Sequence, residues 1–144
     1  MSSPILFLNN NIPFSLKQKN RIRQWIEAAI QHEGKTVGEI TYMFGDDAYV
    51  LQINQSFLQH DYLTDIITFD YCEGDVISGD IVISVDRVRE NARLYHMRVE
   101  EEMHRVIIHG ILHLCGYKDK RKKEAQQMRE KEDYYLRIFP INNL

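Results

Sequence analysis

The chain has 144 residues, 44% of them hydrophobic and 27% charged, with a formal net charge of −3. That length predicts one domain spanning residues 1–144, with a core that needs no staples. The composition excludes disorder and collagen-like repeats, and the charge excludes a global basic field for nucleic acid.

Cys72 and Cys115 are the only cysteines and form no CxxC pair, so a reducing compartment fits. The longest apolar run, 106–115, is broken by His109, Gly110 and His113, which is too short and too polar for a bilayer. The N-terminus has no basic segment followed by an apolar one, so no secretion signal is expected. The expectation is a cytoplasmic protein without a membrane partner.

In chain order, residues 5–8 read as a strand ending at an Asn turn. Residues 16–32 carry apolar side chains at helical spacing, with Gly34 placed to stop the helix. A strand follows over 37–44, and Gly45–Asp46–Asp47 caps a helix to about residue 58. Residues 60–64 loop, 66–71 read as a strand, 73–75 turn, and 81–85 read as a strand entered through Gly79–Asp80. Helices are expected over 86–97, 99–115 (stopped by Gly116) and 121–136, with an irregular tail over 140–144. Four strands and five helices in this order predict an α/β or α+β layout, a small sheet covered by helices.

The chemistry concentrates in HGILHLCGYKD, residues 109–119. Residues four apart on a helix differ by about 40° in azimuth, so His109 and His113 share a face and can grip one transition-metal ion. Gly116 can turn the chain back so that Asp119 closes over the pair. A His–His–carboxylate set with one open position is the catalytic zinc arrangement, and nickel, manganese and iron are also compatible. Two core histidines bonded to backbone or tyrosine would show the same spacing. Gly110 stands where an HExxH metalloprotease carries its general base, which argues against peptide hydrolysis. Cys115 lies about 200° round the helix from His113 and reads as core, like Cys72, and His104 lies about 140° from His109. His32, His60, His96 and His104 read as surface or boundary residues.

The segment 118–123, KDKRKK, places five cations beside the proposed metal loop. It reads either as a local phosphate-attracting patch or as a solvated helix start, although cations at a helix N-terminus oppose the macrodipole.

HGILHLCGY, followed by Glu124, Met128 and Glu132, resembles the YbeY family of bacterial single-strand-specific endoribonucleases, whose signature is H-G-x-L-H-L-x-G-Y-D-H. Residues 54–69, with Asp61, Thr64, Asp65, Thr68 and Phe69, are similar to the family segment L-N-x-x-Y-R-x-x-D-x-P-T-D-V-L-S-F. GDIVIS, 79–84, is similar to the family strand G-D-I-x-I-S. Asp119 stands at the family's third metal histidine, Lys118 at the preceding aspartate, Leu58 at the family arginine and Leu63 at its proline.

The resemblance implies a small mixed four-stranded sheet with the metal site in a cleft, held by His109, His113 and Asp119. It implies a single-strand-specific, metal-dependent endoribonuclease acting in 16S rRNA 3'-end maturation and 70S ribosome quality control. A zinc-bound water would hydrolyse the phosphodiester, and single-stranded RNA and the ribosome would be the partners. Lys118, Lys120 and Arg121 are expected to bind substrate. No general base is assigned, and Thr64, Asp65 and Asp80 are candidates because the similar segments lie near the cleft. Tyr117 would either stack on a base or, as the favoured reading, pack under the metal loop. Two other classes remain open: a ribosome-assembly RNA-binding factor with a structural metal, or a metal-dependent hydrolase of another substrate.

Overall fold

The computed structural model describes residues 4–139. Four strands, β1 (Ile5–Asn9), β2 (Thr36–Gly45), β3 (Ile66–Asp70) and β4 (Val76–Ser84), form one sheet in the order β1-β2-β4-β3. β1 and β4 run parallel to β2, and β3 pairs antiparallel to β4, with Thr68 opposite Ile81 and Phe69 opposite Asp80. Five helices surround it: α1 (Lys19–His32), α2 (Asp47–Leu58), α3 (Val85–Leu94), α4 (Val99–Leu114) and α5 (Lys122–Arg137). This is an α+β fold with a mixed four-stranded sheet.

The period-2 alternation of β4 divides the sheet into two faces. Ile77, Ile81 and Ile83 join the main core with α1, α4 and α5, while Val82 joins Val50 of α2 and Ile67 in a smaller cluster on the other face. α4 is the central helix. Val106, Ile107, Ile108, Ile111 and Leu112 are all buried, as an element apolar on nearly every side requires. The Tyr42 hydroxyl donates to the Ile107 carbonyl at 2.9 Å, and the Trp25 indole donates to the Tyr135 carbonyl at 2.9 Å, tying the helices to the sheet and to each other. Gly110 is a packing device: a Cβ there would lie 3.0–3.1 Å from Ile81 and Ile66 carbons. The position that holds a glutamate in an HExxH protease therefore faces the sheet.

Several boundaries shift from the sequence expectations. α1 begins at Lys19, not residue 16, because Gln18 takes a left-handed conformation at φ 59°. α3 stops at Leu94, and His96 then turns the chain at φ 55°. β4 begins at Val76, so Gly79 and Asp80 lie inside the strand rather than before it. Gly79 belongs there because a Cβ would come within 2.4 Å of the Phe69 carbonyl oxygen. The Asp46 cap holds as expected, its carboxylate accepting from the Tyr49 N–H at 2.8 Å. The tail 140–144 lies outside the described residues.

Candidate metal centre and nucleic-acid cleft

α4 presents His109 and His113 on one face, with ring centroids 5.3 Å apart. Gly116, at φ 108°, reverses the chain after the helix and brings Asp119 back over the pair. The two carboxylate oxygens divide between the rings: Oδ2 lies 3.1 Å from His109 Nε2, and Oδ1 lies 3.4 Å from His113 Nε2. One ligand atom from each residue can be chosen so that all three lie within 4.8 Å of one another. Ligands about 2.1 Å from a tetrahedral ion stand about 3.4 Å apart, so the donor set fits a transition metal.

The hydrogen bonding behind the rings strengthens that fit. His109 Nδ1 lies 2.7 Å from Glu132 Oε2. The carboxylate can only accept, so Nδ1 carries the proton and Nε2 of the neutral ring presents a lone pair to Asp119. A lone pair aimed at a carboxylate oxygen 3.1 Å away requires a cation between them or a proton on the ring. Burial opposes the charged imidazolium of His109, but Glu132, Asp119 and Asp65 together outweigh it and raise its pKa. The same negative surroundings attract a metal ion. His113 Nδ1 faces the Thr68 hydroxyl at 3.4 Å.

Glu132 is itself buried and anchored. Arg105 donates Nη1 to Glu132 at 2.8 Å and Nη2 to Asp133 at 2.7 Å. Glu102 and Arg105 precede His109 on α4 by seven and four residues, so one helical stripe carries the acid, the guanidinium and both imidazoles. That spacing is the signal that could have found Glu102 and Arg105. Glu132 belongs to the resembling string, but its contact with His109 is visible only in three dimensions.

The triad sits in a cleft of about 620 Å³ that also includes Asp65, Thr64, Thr68, Asn91, Glu102 and Lys120. Burial raises the Asp65 pKa, partly offset by the charge of His109. Asn91 Nδ2 donates to Asp65 Oδ2 at 3.4 Å. Burial also raises the pKa of Glu102, reinforced by the charge of Asp65. Asp80 does not line this cleft: it sits on β4 between Gly79 and Ile81, in the opposite-facing half of the alternation.

Lys118, Lys120, Arg121, Lys122 and Lys123 are all exposed, and none has an ion-pair partner among the described residues. Lys120 lines the cleft, and Lys118 and Arg121 line a depression beside it that shares His113 and Asp119. Tyr117 packs under the loop, its hydroxyl donating to Glu33 at 2.7 Å, with the Lys131 ammonium 5.5 Å from the ring centre. It is not a free stacking ring. His104 packs with Trp25 and Phe139, outside the cleft that holds His109 and His113. Cys72 and Cys115 are half-buried free thiols packed against the main core, and burial pushes Cys115 up to about 12.

No helix among the described residues is long and apolar enough to cross a membrane. A sequence model described as endoribonuclease YbeY matches residues 7–139. A protein named endoribonuclease YbeY from Porphyromonas gingivalis is 59% identical over 115 residues, covering 80% of this chain and 76% of that protein. Its namesake from Flavobacterium psychrophilum is 48% identical over 137 residues, covering 95% and 98%. The solution structure of TM1509 from Thermotoga maritima superposes with a TM-score of 0.65 at 30% identity, covering 92% of this chain and 86% of that one. With a match over nearly its whole length and close relatives of the same name, the chain belongs to the endoribonuclease YbeY family.

Proposed function

We propose that the chain is a single-domain, metal-dependent endoribonuclease acting on single-stranded RNA, with His109, His113 and Asp119 holding one zinc ion. The observation that carries this reading is the convergence of both Nε2 atoms on the Asp119 carboxylate, at 3.1 and 3.4 Å, inside a cleft that Lys120 also lines. A bound divalent cation supplies Lewis acidity there, lowering the pKa of water toward about 7 and polarising a phosphoryl oxygen. Nickel, manganese and iron suit the same ligands.

The chain's own residues supply the rest. Glu132 holds the proton on His109 Nδ1 and so fixes the ring orientation. Arg105 keeps Glu132 in place. Lys118, Lys120 and Arg121 attract the RNA backbone and offset charge that develops on the phosphate. Asp65 is the carboxyl suited to proton transfer, since burial raises its pKa above the ordinary carboxylate value while Asn91 orients it. Family membership supports a place in 16S rRNA 3'-end maturation and 70S ribosome quality control, in the cytoplasm and with the ribosome as partner.

Cleavage of a single-stranded RNA by the wild type, its loss with chelator and its loss in His113→Ala are the expected results. Cleavage that survives both treatments overturns the metallonuclease reading. Tight ribosomal RNA binding without metal-dependent cleavage marks an assembly factor, and hydrolysis of small esters alone marks another hydrolase.

A further inference from the structure

The cleft has a wall that the metal chemistry leaves unused. Residues 57–63, FLQHDYL, contain no Lys or Arg, yet Leu58, His60 and Tyr62 all line the cleft. Tyr62 is 56% exposed, and Tyr95, which lines the same cleft, is 57% exposed. Exposed rings grouped around a cleft mark a binding surface rather than a packing remnant.

The His60 and Tyr62 rings are stacked, with centroids 5.2 Å apart and planes at 21°. The Tyr62 hydroxyl lies 3.1 Å from His60 Nδ1. The backbone beneath them is pinned. Buried Asn54 donates its amide to the Tyr62 carbonyl at 3.0 Å, and its own carbonyl accepts from the His60 N–H at 3.0 Å. Gln59, left-handed at φ 57°, makes the turn that places both rings. Bonds that fix this backbone lower the entropy cost of presenting the rings to a ligand.

The two walls differ in charge. The loop after α4 offers unpaired cations, which suit phosphates. The 57–63 wall has no Lys or Arg, offers planar rings and one acid, and so suits a nucleobase better than a phosphate. Unpaired RNA is held by this division of labour, with bases on aromatic rings and backbone along a cationic track. In a duplex the base faces are covered by their neighbours, so such a platform selects single strands.

We infer that the His60–Tyr62 pair is a nucleobase-stacking subsite for single-stranded RNA whose backbone runs along Lys120. This assignment rests on the endoribonuclease reading. By the resemblance, Leu58 stands where the family carries an arginine, so in this chain stacking takes a share of the grip that charge would otherwise supply.

The test uses a single-stranded RNA carrying one 2-aminopurine and a matched strand with an abasic residue at that position. Wild type, Tyr62→Ala, Tyr62→Phe and Tyr71→Ala are compared, the last being an equally exposed tyrosine outside the cleft. Wild type is expected to quench the 2-aminopurine. Tyr62→Ala is expected to bind about 10-fold more weakly, and Tyr62→Phe and Tyr71→Ala to match the wild type within about threefold. The abasic strand should bind wild type and Tyr62→Ala equally. If Tyr62→Ala binds intact RNA like the wild type while the wild type still cleaves it, the stacking assignment fails and the nuclease reading stands. If the wild type neither binds nor cleaves RNA, both fail. Unchanged RNA affinity with loss of self-association in Tyr62→Ala would mark a protein contact and overturn the assignment.

Discussion

His109 Nδ1 sits 2.7 Å from Glu132 Oε2, and this one contact decides which ring nitrogen faces Asp119. Carboxylates behind metal-binding histidines fix the tautomer and raise ligand basicity, and losing one costs about 10–100-fold in metal affinity. Glu132→Gln is expected to weaken zinc binding about 10-fold, read by competition with a chromophoric chelator, with the circular dichroism spectrum unchanged. Glu132→Ala should lose more, because Arg105 is then left buried with Asp133 as its remaining partner.

The loop that carries Asp119 is clamped from below. Glu33, the C-cap of α1, accepts from Tyr117, Tyr135 and Lys131, so α1, α5 and the loop carrying Asp119 meet on one carboxylate. Tyr117→Phe removes a bond to a charged group and should cost about 1.5–3 kcal/mol in urea unfolding.

The same clamp sets a pH dependence. Burial pushes the Glu33 pKa up, but the Tyr135, Tyr117 and Lys131 bonds outweigh it, and the folded value lies below the ordinary one. A depressed carboxylate stabilises the fold above its unfolded pKa of about 4.3, and that stability is lost as pH falls through the folded value. The stability gap between wild type and Glu33→Gln should be full at pH 7 and shrink below about pH 4. A gap independent of pH would contradict it.

Asp65 carries the opposite sign. Burial raises its pKa, so the folded state loses stability as pH rises through the folded value. Asp65→Asn should therefore melt higher than the wild type at pH 8, with the advantage vanishing below about pH 4, while RNA cleavage falls. A variant that is both less stable at pH 8 and fully active would contradict both roles.

The cations that follow α4 are expected to act on backbone charge. Each phosphate contact on a single strand contributes about 0.7 to the slope of log affinity against log salt. Replacing Lys118, Lys120 and Arg121 together by alanine should flatten that slope by up to about 2, equally for all sequences.

Much of this site could be read from residues that are neighbours along the chain. His109 and His113 are one helical turn apart, Gly116 ends the helix, and Asp119 follows within the same loop, so local geometry brings them together. The strands and helices were likewise legible in number and order, since alternation and helical spacing are local signals. What was not legible depends on elements far apart in sequence. Glu132 reaches His109 because α5 packs on α4, and Glu33 reaches Tyr117 across 84 residues. Asp80 was placed near the cleft by its neighbours in a motif, but strand alternation turns it to the other face. Residues 60–64 loop as their polar sequence implies, but the Asn54 bond that holds the Tyr62 backbone beside the cleft is not encoded in any local spacing.

The most direct test is a crystal of the zinc-loaded protein measured above and below the zinc absorption edge. One anomalous peak within about 2.0–2.2 Å of Nε2 of His109, Nε2 of His113 and an Asp119 oxygen is the predicted result. A peak elsewhere, or Asp119 turned away from an ion held by the imidazoles alone, would contradict it.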